Sequence, residues 1–197
     1  MRLYNHALPT DSIPDTLRVR NYDNQLNHFN YLLLPISKNA KPNYTKFYLN
    51  ENDNNSLLDV IAFKIDSSDY NKIQYNTILD SSSMNAPLYL TPGDELFVVG
   101  FPRDYGYTNV YPIWKRGTIA SEPKFETFLI DATTRGGMSG SPVYFKNNSY
   151  FESPGGYNTG SYTLVKLIGI YSAQSYETEL GNIIDLEPIL NKLLKSN

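Results

Sequence analysis

"RGGMSGSPVY", residues 135–144, sets one serine among glycines and then runs at once into a β-like segment. A buried strand has no use for Gly136, Gly137 and Gly140, because glycine loses more backbone freedom on ordering than any other residue. A flexible linker would not be followed directly by Pro142, Val143, Tyr144 and Phe145. The pattern describes a tight loop that carries Ser139 and delivers it to a strand.

Working outward, short β-type segments lie on both sides. Upstream are "TFLIDA", "VYPIWKRGTIA", "ELFVVGFP" and "PLYL"; downstream are "SPVYF" itself and "TLVKLIGIYSA". Nearer the N-terminus, "LLDVIAFKI" is strongly β, and "KFYLNENDNN" is a short strand entering a polar turn. "FNYLLLPI" is a strand interrupted at Pro35, and "TLRVRNY" alternates Leu17 and Val19 with Arg18 and Arg20. Pro92-Gly93-Asp94 and Pro154-Gly155-Gly156 are turn signals between such runs. Residues 1–15, broken by Pro9 and Pro14, are expected to be loop. Many short strands predict an all-β barrel or sandwich. Only "DLEPILNKLLKSN" has helical periodicity, with Leu186, Ile189, Leu190 and Leu193 on one face. Asp185 is placed to cap it, and Pro188 then falls in the first turn, where no intrahelical N–H is needed.

The chain has 197 residues, 41% of them hydrophobic, enough for a sizeable core. Seventeen tyrosines favour strands. A net charge of −3 with no basic cluster argues against nucleic acid as a partner. There are no cysteines, which excludes disulfides, cysteine nucleophiles and cysteine metal sites. The first residues lack the apolar core of a signal peptide, and no apolar run approaches the roughly 18 residues of a membrane helix. A cytoplasmic location without membrane contact is the expectation. No cofactor is indicated, and "NENDNN" (50–55) lacks the glycine and closing glutamate of a calcium loop, so a solvated turn is expected.

Two hydrolase motifs compete for the opening stretch. A nucleophile elbow, G-x-S-x-G, needs glycine at position 141 and a helix after it. Position 141 is serine and a strand follows. The alternative is G-x-S-G-x-P before a strand, which Gly137-Met138-Ser139-Gly140-Ser141-Pro142 matches at every fixed position. Glycine at 137 permits a backbone closed to other residues. The N–H groups of Gly137 and Ser139 could then meet a developing oxyanion while Ser139 Oγ attacks the adjacent carbonyl. Without a catalytic role, the same residues would be a glycine-rich turn.

On these residues the chain resembles the trypsin-like serine proteases, especially bacterial members without disulfides. Asp59 in "LLDVIAFKI" resembles the family's triad aspartate segment, with one residue more before Ala62. "VVGFP" (98–102), "RGTIAS" (116–121), "LVKLIGIYSAQ" (164–174) and the terminal helix follow in the family's order, so the resemblance spans about 56–194. It implies a trypsin-like double β-barrel with an incomplete first barrel and a C-terminal helix. Residues 1–90 would form the partial N-terminal barrel, and 91–197 the C-terminal barrel with the helix. It also implies serine endopeptidase chemistry on a polypeptide, with Ser139 as nucleophile, Asp59 orienting a histidine, and Gly137 and Ser139 forming the oxyanion hole.

The base must come from His6 or His28. His6 is in the right register before Asp59, and "ALPTDSIPDTLRVR" after it resembles the loop and strand that follow the family histidine. His28 lies close to Asp59 and outside any such context. Only five residues precede His6, so the strands that should hold it are expected upstream of Met1. An incomplete barrel would expose strand edges on which a partner chain could dock. The competing expectation is an inactive, protease-like module that holds extended peptides near Ile170–Ala173 by main-chain bonds.

The resemblance also places Thr133 at the base of the specificity pocket and Tyr171, Ser172 and Ala173 along the substrate strand. "TTRGGMSGSPV" resembles the serine loop of glutamate-specific bacterial endopeptidases, with Arg135 inserted and Tyr171 where those enzymes favour histidine. An acidic or small polar side chain beside the scissile bond is the expectation. Met138 stands where the family's activation aspartate would be, so activation by cleavage is not expected.

Overall fold

The computed structural model describes residues 16–23, 28–38, 41–42, 44–50, 53–63, 88–103, 111–123, 126–147, 151–153, 156–158 and 164–195. The chain divides into two compact units, residues 1–76 and 77–197. The expected loop over residues 1–15, with His6, lies outside the described residues.

The described part of the first unit consists of antiparallel strand pairs. β1 (Thr16–Asp23) pairs with β2 (His28–Pro35), and β3 (Ser37–Lys38) with β4 (Lys41–Pro42). β5 (Tyr44–Asn50) pairs with β6 (Asp53–Phe63). The alternating "TLRVRNY" and the run ending at Pro35 thus become one hairpin, with Thr16 opposite Pro35. Asn50 lies opposite Asp53, and residues 51–52, where "NENDNN" is expected to turn, lie outside the described residues. The β5–β6 ladder changes register twice, between Lys46 and Tyr48 and between Tyr48 and Asn50.

The second unit contains a closed antiparallel barrel of six strands. They are β7 (Glu95–Gly100), β8 (Ile113–Ile119), β9 (Thr127–Asp131), β10 (Pro142–Asn147), β13 (Leu164–Gln174) and β14 (Gly181–Asp185). Around the barrel they run β10-β13-β14-β9-β8-β7, with β7 closing back onto β10. Closure removes the exposed edges that an open sheet would leave. Between β10 and β13 in the chain, β11 (Phe151–Ser153) and β12 (Gly156–Asn158) form a small antiparallel pair.

Strand periodicity builds the core. Leu96 and Val98, Phe128 and Ile130, and Val143 and Phe145 each point inward from alternate positions. Ile119, Ile168, Tyr171 and Ile183 complete the cluster. Outside the barrel, Trp114 stacks on Tyr144 and meets Phe97 edge-on, with centroids 5.9 and 5.8 Å apart.

Two sequence expectations change here. "PLYL" is not a strand: residues 88–90 are irregular. Its alternation survives as packing, since Leu88 and Leu90 lie against the core while Tyr89 is exposed. "GNIID", absent from the expected strands, forms β14 and joins β13 to β9. Its pattern is not a clean alternation because both Ile183 and Ile184 are buried.

The terminal helix α1 spans Leu186–Lys195. Asp185 caps it by accepting the Glu187 N–H at 2.9 Å. Its inward stripe includes Leu186 and Ile189, both buried. Burial lifts the Asp185 carboxyl above its ordinary range. The Glu187 N–H and Lys166 oppose this, while Glu187 and Glu126 add to it. No helix among the described residues is long and apolar enough to cross a membrane.

Candidate active site

The connection from β9 to β10 carries Ser139. It consists of two linked turns. The Met138 N–H donates to the Arg135 carbonyl at 3.2 Å, and the Ser141 N–H donates to the Met138 carbonyl at 3.0 Å. The third residue of each turn is glycine at positive φ, Gly137 at 93° and Gly140 at 82°. That is the type II requirement, which other residues meet only with strain. The glycines of the quoted stretch therefore sit where the loop shape demands them.

Met138 lies between the turns and is wholly buried in the barrel core. Its side chain pins the loop from below, while Ser139 above it is exposed. Full burial of a methionine contributes about 1.5–3 kcal/mol. From one side the loop is held by the residues after β7. The Arg103 N–H donates to the Gly136 carbonyl at 2.5 Å. A Cβ at Gly137 would stand 2.8 Å from Arg103 N and 3.3 Å from the Phe101 carbonyl oxygen. "VVGFP" thus ends as a buttress for the serine loop.

From the other side the loop is tied to β13. The Gly140 N–H donates to the Tyr171 carbonyl at 2.7 Å, and the Tyr171 N–H donates to the Ser141 carbonyl at 2.9 Å. Among the described residues, neither the Gly137 N–H nor the Ser139 N–H donates to a backbone carbonyl. Those are the two donors that an oxyanion beside Ser139 would need.

Under this loop runs a chain of neutral polar groups. Thr134 and Tyr171 are buried, with their hydroxyl oxygens 2.6 Å apart. Thr134 Oγ1 also lies 3.1 Å from Gln174 Oε1, and Gln174 Nε2 donates to the Glu179 carbonyl at 2.9 Å. A carbonyl only accepts, so that contact fixes which end of the Gln174 amide is nitrogen. The Thr134 proton then goes to Oε1, and Tyr171 must donate to Thr134. Burial pushes the Tyr171 phenol above its ordinary value.

Tyr171 reaches Thr134 because Gly181 leaves room. A Cβ at Gly181 would lie 2.7 Å from a Tyr171 ring carbon and 3.0 Å from Ile130. Gln174 joins the chain because the β13–β14 ladder shifts register between Tyr171 and Ala173. The extra residue breaks strict alternation. Residues 171 and 174, which a regular strand would send to opposite faces, both reach Thr134.

Of the residues expected at the site, the second unit brings Gly137, Ser139 and Tyr171 into this one assembly, with Met138 beneath them. Ser172 is buried and Ala173 exposed on the same run of β13. Thr133 is exposed; its neighbour Thr134 carries the buried hydroxyl. Arg135 is exposed on the first turn. Asp59 lies in the first unit, exposed on β6 within the irregular part of its ladder. His28 opens β2 opposite Asp23. His6 is outside the described residues. Thr134 and Gln174 could not be found from sequence, since the contacts span 37 and 40 positions and depend on a bulge.

A separate cavity of about 270 Å³ lies between α1, β13 and residues 88–90, and none of its lining residues belongs to the serine loop. The chain matches no family model and no curated protein.

Proposed function

We propose that the chain is a trypsin-like serine endopeptidase domain acting by acyl transfer. The observation that carries this reading is the double-turn loop: exposed Ser139 over buried Met138, with glycines at positive φ on both sides and two backbone donors beside it. Its place between the third and fourth strands of a closed six-strand barrel supports the same reading. In this reading the barrel is the C-terminal half of a double-barrel protease, and the first unit corresponds to part of the other half.

Ser139 Oγ attacks the scissile carbonyl carbon and its proton passes to the base, for which His6 is proposed, oriented by Asp59. The Gly137 and Ser139 N–H groups hold the resulting oxyanion. The C–N bond then breaks, the amine leaves with the proton from the base, and water releases the acyl group by the same steps.

A fluorophosphonate tests the nucleophile without knowledge of the substrate. A Ser139 Oγ–P bond forms and fluoride leaves, so intact mass reports one adduct. The expected result is stoichiometric labelling that Ser139→Ala abolishes and His6→Ala slows. A folded sample that takes no label overturns the endopeptidase reading in favour of an inactive, protease-like peptide-binding module.

A further inference from the structure

We propose that Gln174 is a specificity-determining residue and selects a neutral carboxamide side chain, glutamine or asparagine, in the peptide bound beside Ser139. The proposal rests on the serine-loop reading for the position of the peptide. The choice of side chain comes from the hydrogen-bond chain alone.

The protons along that chain are all accounted for. Tyr171 donates to Thr134, Thr134 donates to Gln174 Oε1, and one Gln174 Nε2 hydrogen goes to the Glu179 carbonyl. A primary amide has two N–H donors and two acceptor lone pairs. Gln174 therefore has one donor and one acceptor left, and its side chain is only half-buried, unlike Thr134 and Tyr171 behind it. One donor and one acceptor are what another primary amide offers in return, so it can use both. A carboxylate only accepts, so it can use the donor and leaves the remaining Oε1 lone pair unanswered. None of the three side chains carries a charge to offset that.

The amide is also held against rotation. Flipping it would point Nε2 hydrogens at the Thr134 hydroxyl and place Oε1 against the Glu179 carbonyl, acceptor to acceptor. Glu179 presents that carbonyl from a backbone at φ 59°, an unfavourable conformation for a residue with a side chain. It is fixed there by the turn after β13, in which the Glu179 N–H donates to the Ser175 carbonyl and the Ser175 N–H to the Leu180 carbonyl, each at 2.9 Å. The strand itself ties to the serine loop through Tyr171, so the amide has a fixed place relative to Ser139.

The test is calorimetric titration of the full chain carrying Ser139→Ala, with acetylated peptides that end in glutamine, glutamate or norvaline. Removing the nucleophile makes the titration report the pocket alone, whereas the fluorophosphonate, which has no amino-acid side chain, reports the serine alone. The expected result at pH 7 is binding of the glutamine peptide at least about tenfold tighter than the glutamate peptide, the worth of one charge-independent hydrogen bond. Gln174→Met should abolish the difference. Lowering the pH until the glutamate side chain protonates should narrow it, because the neutral acid regains a donor. Equal affinity, tighter binding of glutamate, a preference that survives Gln174→Met, or no binding of any peptide would each overturn the assignment.

Discussion

The Tyr171 phenol donates to the Thr134 hydroxyl across 2.6 Å, joining the β9–β10 connection to β13 over 37 positions of chain. Both groups are buried, so neither has water as a substitute partner. The bond holds the approach to the serine loop against β13.

Breaking that pair should cost more from one side than from the other. Thr134→Val leaves the Tyr171 hydroxyl buried and unpaired, and should destabilise the chain by about 1–3 kcal/mol. Tyr171→Phe leaves Thr134 bonded to Gln174 and should cost less. Urea denaturation of both variants and the double mutant should give a coupling energy of about 1 kcal/mol.

Gly137 and Gly140 share a positive φ but differ in surroundings. Nothing stands within 4 Å of a Cβ at Gly140, so Gly140→Ala should cost only the backbone term, about 1–2 kcal/mol. Gly137→Ala adds a collision with the Arg103 backbone nitrogen at 2.8 Å. It should cost more, and it should slow fluorophosphonate labelling more strongly than Gly140→Ala.

Met138→Ala removes the core anchor of the loop and should destabilise by about 2–5 kcal/mol. Ser139→Ala, at an exposed position, should shift stability by no more than about 0.5 kcal/mol. Thermal denaturation of the two variants should separate the packing role of Met138 from the exposed position of its neighbour.

Asp185 carries a pH signature. Burial raises its folded carboxyl above the ordinary value, so the folded chain holds that proton more tightly than the unfolded one. Its contribution to stability is therefore fully present below the ordinary carboxylate range and is lost as pH rises through the folded value. Asparagine caps helices as well as aspartate does. Asp185→Asn should thus gain stability relative to the parent chain across that window and run parallel to it at lower pH. Urea midpoints of both chains through the acid range check the sign.

Much of the second unit was written locally. Alternating apolar residues in "ELFVVG" and "TFLID", the Pro92-Gly93 turn, and the capped helix after Asp185 are short-range signals, and each of these elements formed where its pattern lay. The glycines around Ser139 likewise announced a loop with positive φ, because only glycine takes that backbone freely. What the local pattern could not supply was pairing. "PLYL" has strand periodicity without a strand, and "GNIID", with its two adjacent buried isoleucines, became a strand because β13 and β9 flank it. The polar chain beneath the loop is further still from local reading. Thr134, Tyr171 and Gln174 meet through barrel closure, a one-residue bulge and the space left at Gly181, and none of these is a property of the residues taken in order. Sequence by itself determined most of the β segments of the barrel and where the serine loop had to bend, since those follow from nearest-neighbour sterics and side-chain period. Only the tertiary structure decided which hydroxyl was buried and which amide it orients, because hydrogen-bond partners far apart in the chain are chosen by packing.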